Sequence, residues 1–148
     1  MKKLTSILLS AIIMLTAVVG FDLTAYAGAG SYDTTAKAKS YTLGTTTTGY
    51  FSSNDNIDFL KVDVPQSGRI DFVLEGTTGY SFYAYSSKNL DRKILSKNIG
   101  FNFNLGKAYE EFCAYLVAGT YYFMVCRDCS NESYKISTSF TSANESFP

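Results

Sequence analysis

Histidine is absent from the 148-residue chain. Ser–His and Cys–His nucleophile pairs are therefore excluded, and so are histidine-ligated metals. A basic excess is missing as well. The 13 Lys and Arg balance 13 Asp and Glu, and no clustered run of Lys or Arg occurs. Nucleic acid is thus not an expected partner, because its affinity rests on neutralising phosphates. No segment holds an amphipathic helical period of useful length. Cysteine is scarce, at three. An odd number leaves at least one thiol unpaired within a secreted monomer.

What is present begins with MKKLTSILLSAIIMLTAVVGFDLTAYA. Lys2 and Lys3 form a positive start, an apolar stretch runs to about Val19, and Ala25-Tyr26-Ala27 has the small-x-small form of a cleavage site. Residues 1–27 read as a secretory signal peptide. The apolar run is broken by Thr5, Ser6, Ser10 and Thr16, and is shorter than the roughly 20 residues that span a bilayer. The expected product is a secreted protein, free of the membrane after cleavage, from Gly28 to Pro148. Removing Lys2, Lys3 and Asp22 leaves 11 basic and 12 acidic residues over 121 positions. That length suits one domain.

The chain has 12 Tyr and 11 Phe but no Trp. Tyr, Phe and Thr favour half-buried pleated surfaces. Apolar residues recur at every second position in GRIDFVLE (68–75), IGFNFNL (99–105) and YKISTSF (134–140), as a strand with one face on a core requires. In IGFNFNL the core-facing set is Ile99, Phe101, Phe103 and Leu105. SYTLG (40–44), TTGYF (47–51), IDFLKVDV (57–64), YSFYAY (80–85), RKILS (92–96), EEFCAYL (110–116) and TYYFMVC (120–126) complete the strand set. PQSG, EGTTG and SSKN separate them as turns. Short strands with turns this frequent predict an all-β fold, an antiparallel β-sandwich of jelly-roll type. Residues 28–39 read as an extended lead-in, 40–140 as the sandwich and 141–148 as a tail.

EEFCAYLVAGTYYFMVC suggests a hairpin with Gly119 and Thr120 in its loop. Cross-strand partners then put Phe112, Ala114 and Leu116 on one face with Tyr121, Phe123 and Val125. The same register sets Tyr115 beside Met124, Val117 beside Tyr122, and Cys113 opposite Cys126. That register favours a Cys113–Cys126 disulfide, leaving Cys129, with plain reduced thiols as the other reading. Cys126-Arg-Asp-Cys129 also has the spacing of redox and zinc sites. A redox motif expects a helix N-terminus, however, and zinc lacks a fourth ligand here.

Taken in order, several landmarks resemble one family. They are YDTTAKAKSYTLGTTTTGYF, NDNIDFLKVDVPQSGRIDFVLE, LVAGTYYFMV and SYKISTSF, spanning about Tyr32 to Phe140. This sequence is similar to the bacterial pre-peptidase C-terminal domain, a module appended to secreted peptidases and related to the collagen-binding modules of clostridial collagenases. With only a signal peptide ahead of it, the resemblance implies a secreted, non-catalytic binding or accessory module. Its expected partner is an extracellular polysaccharide, a collagen-like or surface protein, or a separately encoded secreted peptidase that it completes in trans. A secreted enzyme of unrecognised type is the remaining alternative.

Three groups of residues are candidates. Asn54, Asp55, Asn56 and Asp58 crowd the start of strand 57–64, and calcium takes six to eight such oxygens. The EF-hand pattern fails, since Phe59 stands where Gly is required and Pro65 where Glu is required. Asp33 in the lead-in would have to help, and the resemblance implies calcium near that segment. The other reading is an Asx-rich turn. No cofactor is otherwise expected. The second group is the Tyr-rich outer surface: Tyr115, Tyr122 and Met124 on the hairpin, with Tyr83 and Tyr85. These could stack on a sugar ring or a rod-like protein, or be covered by another part of the assembly. The third group, Glu110 and Glu111, points to opposite strand faces and cannot act as a catalytic pair.

Overall fold

The structure, a computed structural model, describes residues 32–52, 55–127 and 132–144. The signal segment and Cys129 lie outside the described residues, as does Asn54. Among the described residues, alternating apolar positions build ten strands: β1 (Lys39–Tyr41), β2 (Thr46–Phe51), β3 (Ile57–Val64), β4 (Gly68–Gly76), β5 (Tyr80–Ser86), β6 (Asn89–Ile99), β7 (Phe101–Asn102), β8 (Lys107–Leu116), β9 (Gly119–Cys126) and β10 (Glu132–Ser142). They form two five-stranded sheets, ordered β1-β3-β9-β5-β6 and β2-β10-β4-β8-β7. All pairs are antiparallel except β1 with β3. The fold is an all-β sandwich.

Most consecutive strands lie in different sheets, and only β5–β6 and β7–β8 neighbour each other within one. Each sheet turns one face inward, so strand burial alternates. β4, for example, buries Ile70, Phe72 and Leu74. Phe72 and Phe112 from one sheet meet Phe82 and Phe123 from the other. Phe72 stacks on Phe112 with centroids 4.8 Å apart, and lies 5.5 Å from Phe82 and 5.4 Å from Phe123. Offset and tilted ring pairs of this kind add to simple area burial.

The β8–β9 hairpin does not form. β8 pairs with β4 and β7, whereas β9 pairs with β3 and β5 in the opposite sheet. Phe112 and Phe123 do share the core, but from opposite sheets: both rings contact Phe72, and Phe112 also meets Phe82. Side-chain alternation fixes which face of a strand is buried. It does not say whether two apolar faces lie side by side or stack, so the sequence register had no means of separating the two.

A second difference concerns IGFNFNL. Ile99 is buried, but the chain turns at 103–106, and Phe101, Phe103 and Leu105 are exposed, Phe103 at 89%. The Asn102 side chain accepts from the backbone N–H groups of Asn104 and Leu105. This local bonding diverts the chain from the ladder. At the other end of the chain, β10 continues through Ser142, past the expected tail boundary, and Ala143 N–H donates to the Ser67 carbonyl at 2.9 Å.

The two sheets are also tied through polar groups. Tyr134 on β10 donates its hydroxyl to Asp58 Oδ2 on β3, 2.8 Å away. The Tyr134 ring lies over Gly49 of β2, where a Cβ would fall 2.1 Å from a ring carbon. Glycine is required at 49 by this close approach. Gly49→Ala is expected to cost about 1–3 kcal/mol through overpacking, measured as a lowered urea midpoint. An unchanged midpoint would mean the Tyr134 ring does not sit there.

Candidate functional site

The outer face of the β1-β3-β9-β5-β6 sheet gathers most of the aromatic candidates. On β9, Tyr122 and Met124 point away from buried Tyr121, Phe123 and Val125. Strand pairing aligns Phe59 with Met124, and Met124 with Tyr83. The next row aligns Lys61 with Tyr122, Tyr122 with Tyr85, and Tyr85 with Lys93. Neighbouring strands are about 4.8 Å apart, so these side chains form a contiguous half-buried patch with a lysine at each end of one row. Lys93 Nζ lies 3.7 Å from the centre of the Tyr83 ring, a cation–π contact.

Tyr115 does not join them. Its strand belongs to the other sheet, where it pairs with Arg69 on the opposite outer face and is 64% exposed. The predicted contacts of Tyr115 with Met124 and of Val117 with Tyr122 are absent for the same reason. Phe59 belongs to the patch and was not among the expected residues. The alternation in IDFLKVDV already turns Phe59 away from Leu60 and Val62. What the sequence did not reveal is that β3 lies next to β9.

The same exchange of sheets corrects the cysteines. Cys113 sits opposite Asp71 on β4, and Cys126 pairs with Ile57 and Ser81 in the other sheet. The expected Cys113–Cys126 cross-strand disulfide is not formed, and Cys113 is an exposed thiol.

The acidic loop is more buried than a solvated turn would be. Asp55 and Asp58 are both inside, Asp58 at 1% exposure. Asp58 Oδ2 takes the Tyr134 hydroxyl, while Oδ1 has no hydrogen-bond partner. Burial pushes the Asp58 carboxyl up to about 6. The Tyr134 hydroxyl and the Lys39 charge oppose this rise, and the negative charges of Asp55 and Asp33 add to it. Asp33 is close enough to be felt, and it also pairs with Lys37 at 3.6 Å. The lead-in lies along β3, with the Tyr32 carbonyl accepting from Phe59 N–H at 2.8 Å. Asn56 is exposed, and its backbone carbonyl accepts from Arg127 N–H at 2.9 Å. Among the described residues, no group of three or more acidic or cysteine side chains is positioned to hold a metal. The hard carboxylate oxygens of Asp58 and Asp55 suit calcium in kind, but fall short of its usual six to eight ligands.

The fold is similar to solved structures. One match is the pre-peptidase C-terminal domain of a collagenase from Bacillus anthracis, at a TM-score of 0.54 and 20% identity, covering 69% of this chain and 94% of that one. The chain has the fold of a pre-peptidase C-terminal domain. A weaker likeness, at a TM-score of 0.41 and 12% identity, is to Salmonella Typhimurium PliG, a periplasmic inhibitor of g-type lysozyme, covering 70% of this chain and 99% of that one. No protein-family model matches the sequence, and no curated protein matches it. Among the described residues, no helix is long and apolar enough to cross a membrane.

Proposed function

We propose that this chain is a secreted, non-catalytic binding module that contacts an extracellular polymer or surface protein through the outer face of the β1-β3-β9-β5-β6 sheet. The observation that carries this reading is the joined patch of Phe59, Tyr83, Tyr85, Tyr122 and Met124, flanked by Lys61 and Lys93. Aromatic side chains on a sheet face offer large contact area at small entropic cost. The fold likeness to a domain carried by a collagenase supports an accessory role.

Retention of the purified chain on collagen, peptidoglycan and polysaccharide supports tests this reading. Tyr122→Ala and Tyr85→Ala should each weaken the retained interaction about tenfold or more, as loss of a central aromatic contact does. Tyr115→Ala, on the far face, should leave it unchanged. Retention on none of the supports would sink the proposal, as would insensitivity to both central substitutions.

A module acting in trans with a separately encoded peptidase is the second reading, and it rests on the same fold likeness. Co-purification of a peptidase from culture medium, lost in Tyr122→Ala, would favour it over polymer binding.

A further inference from the structure

At one end of the aromatic patch lies a cavity of about 470 Å³, lined by Ser81, Tyr83, Asn98 and Arg127 among others. Tyr83 belongs to both the patch and the cavity wall. The Arg127 side chain is only 9% exposed. Its Nε has no hydrogen-bond partner. Nη1 lies 3.7 Å from Glu132 Oε2, too long for a hydrogen bond, and Glu132 also accepts from the Thr77 hydroxyl. A buried guanidinium with an unused donor is costly unless an acceptor arrives. Opposite it, the Ser81 hydroxyl donates to Asn98 Oδ1 at 3.1 Å. That leaves the Asn98 amide hydrogens available to a ligand.

Resting on the binding reading above, we infer that this cavity receives the carboxylate of a uronic-acid residue, within an acidic polysaccharide lying across the aromatic patch. Guanidinium forks match carboxylates in shape and charge. A uronic acid carries its carboxylate on the sugar ring itself. A ring stacked on the patch beside Tyr83, one face of which Lys93 Nζ already covers at 3.7 Å, therefore brings its carboxylate to the adjoining cavity. Further along the chain, Lys61 and Lys93 lie at the ends of the Tyr122–Tyr85 row, where other carboxylates of the same polymer would pass. An acidic peptide has carboxylates but no flat ring face beside each one, so it fits this pairing less well.

Calorimetric titration of the purified chain with oligogalacturonate, its methyl ester, poly-glutamate and oligothymidylate tests the inference. Oligogalacturonate should bind at least tenfold more tightly than its ester. Arg127→Gln should remove that advantage while leaving weak binding of the ester intact, and Arg127→Lys should fall between. Asn98→Ala, at an exposed position, should reduce acid binding several-fold and serves if Arg127→Gln does not fold. Equal affinity for acid and ester, or an Arg127→Gln chain that keeps the advantage, overturns the carboxylate pocket and leaves the aromatic patch standing. Ester binding that survives Tyr122→Ala overturns the patch itself. Tighter binding of poly-glutamate or of oligothymidylate would overturn the assignment to a polysaccharide.

Discussion

Phe72→Ala is expected to lower the unfolding free energy by about 3–5 kcal/mol, the range for truncating a buried phenylalanine. Phe72 is 1% exposed and touches Phe112 in its own sheet and both Phe82 and Phe123 in the other. Its removal opens a cavity where the two sheets interlock, and three rings lose contacts at once. Against the roughly 5–15 kcal/mol that holds an ordinary domain together, that is a large fraction. Urea unfolding followed by circular dichroism should give a much lower midpoint with little change in slope. Phe103→Ala provides the contrast. Phe103 lies in the turn after β7 at 89% exposure, so its truncation should stay within about 0.5 kcal/mol. Similar costs for the two would contradict the arrangement of core and turn described above.

Asp58 carries the second large effect, and its sign depends on pH. An ordinary aspartate here would titrate near 3.8, and burial raises Asp58 to about 6. The native state therefore holds a proton that the unfolded chain has already released between those two values. Stability from this group is fully present below about pH 4 and is lost as pH rises through about 6. A rise of this size corresponds to on the order of 2–3 kcal/mol. In chelator at pH 7, Asp58→Asn should thus raise the thermal midpoint by roughly 5–10 °C, because an amide oxygen still accepts the Tyr134 hydroxyl without a buried charge. The difference between the two chains should vanish towards pH 4. Adding calcium at pH 7 tests the cluster as a cation site: a ligand of the folded chain raises its stability by mass action, by about 2.7 kcal/mol at a hundredfold excess over its dissociation constant. That gain should be absent in Asp58→Asn, and weak at pH 5, where the proton competes for the carboxylate. If calcium leaves the wild-type midpoint unmoved at pH 7, Asp58 is a structural partner of Tyr134 and no cation ligand. If Asp58→Asn is instead less stable at pH 7, the burial argument for its titration fails.

The residues that make up the aromatic patch were legible one by one. Tyr83 and Tyr85 alternate with Phe82 and Ala84, and Tyr122 and Met124 alternate with Tyr121 and Phe123, so their outward direction follows from a period of two. Their company was not legible. Tyr115 has the same alternation and the same outward direction, yet it stands on the opposite surface. One arginine after a strand carries no pattern, so Arg127 gives no signal in the sequence. Its significance comes from a side chain buried beside Ser81 and Asn98, which are 46 and 29 positions away in sequence. The acidic cluster was visible as composition, but the near-complete burial of Asp58 depends on Tyr134 reaching across from β10.

By itself the sequence determined the strand class, the inward and outward faces of nearly every strand, and the absence of histidine chemistry. These follow from local sterics and from which side chains leave water. The tertiary structure alone decided that β8 and β9 lie in opposite sheets. It thereby separated Cys113 from Cys126 and Tyr115 from Tyr122, and brought Phe59 and Arg127 to the candidate surface. The physical reason is that burial rewards any arrangement that covers an apolar face. The choice between pairing two strands and stacking them rests on contacts with β3, β4 and β5, far along the chain, which no local pattern encodes.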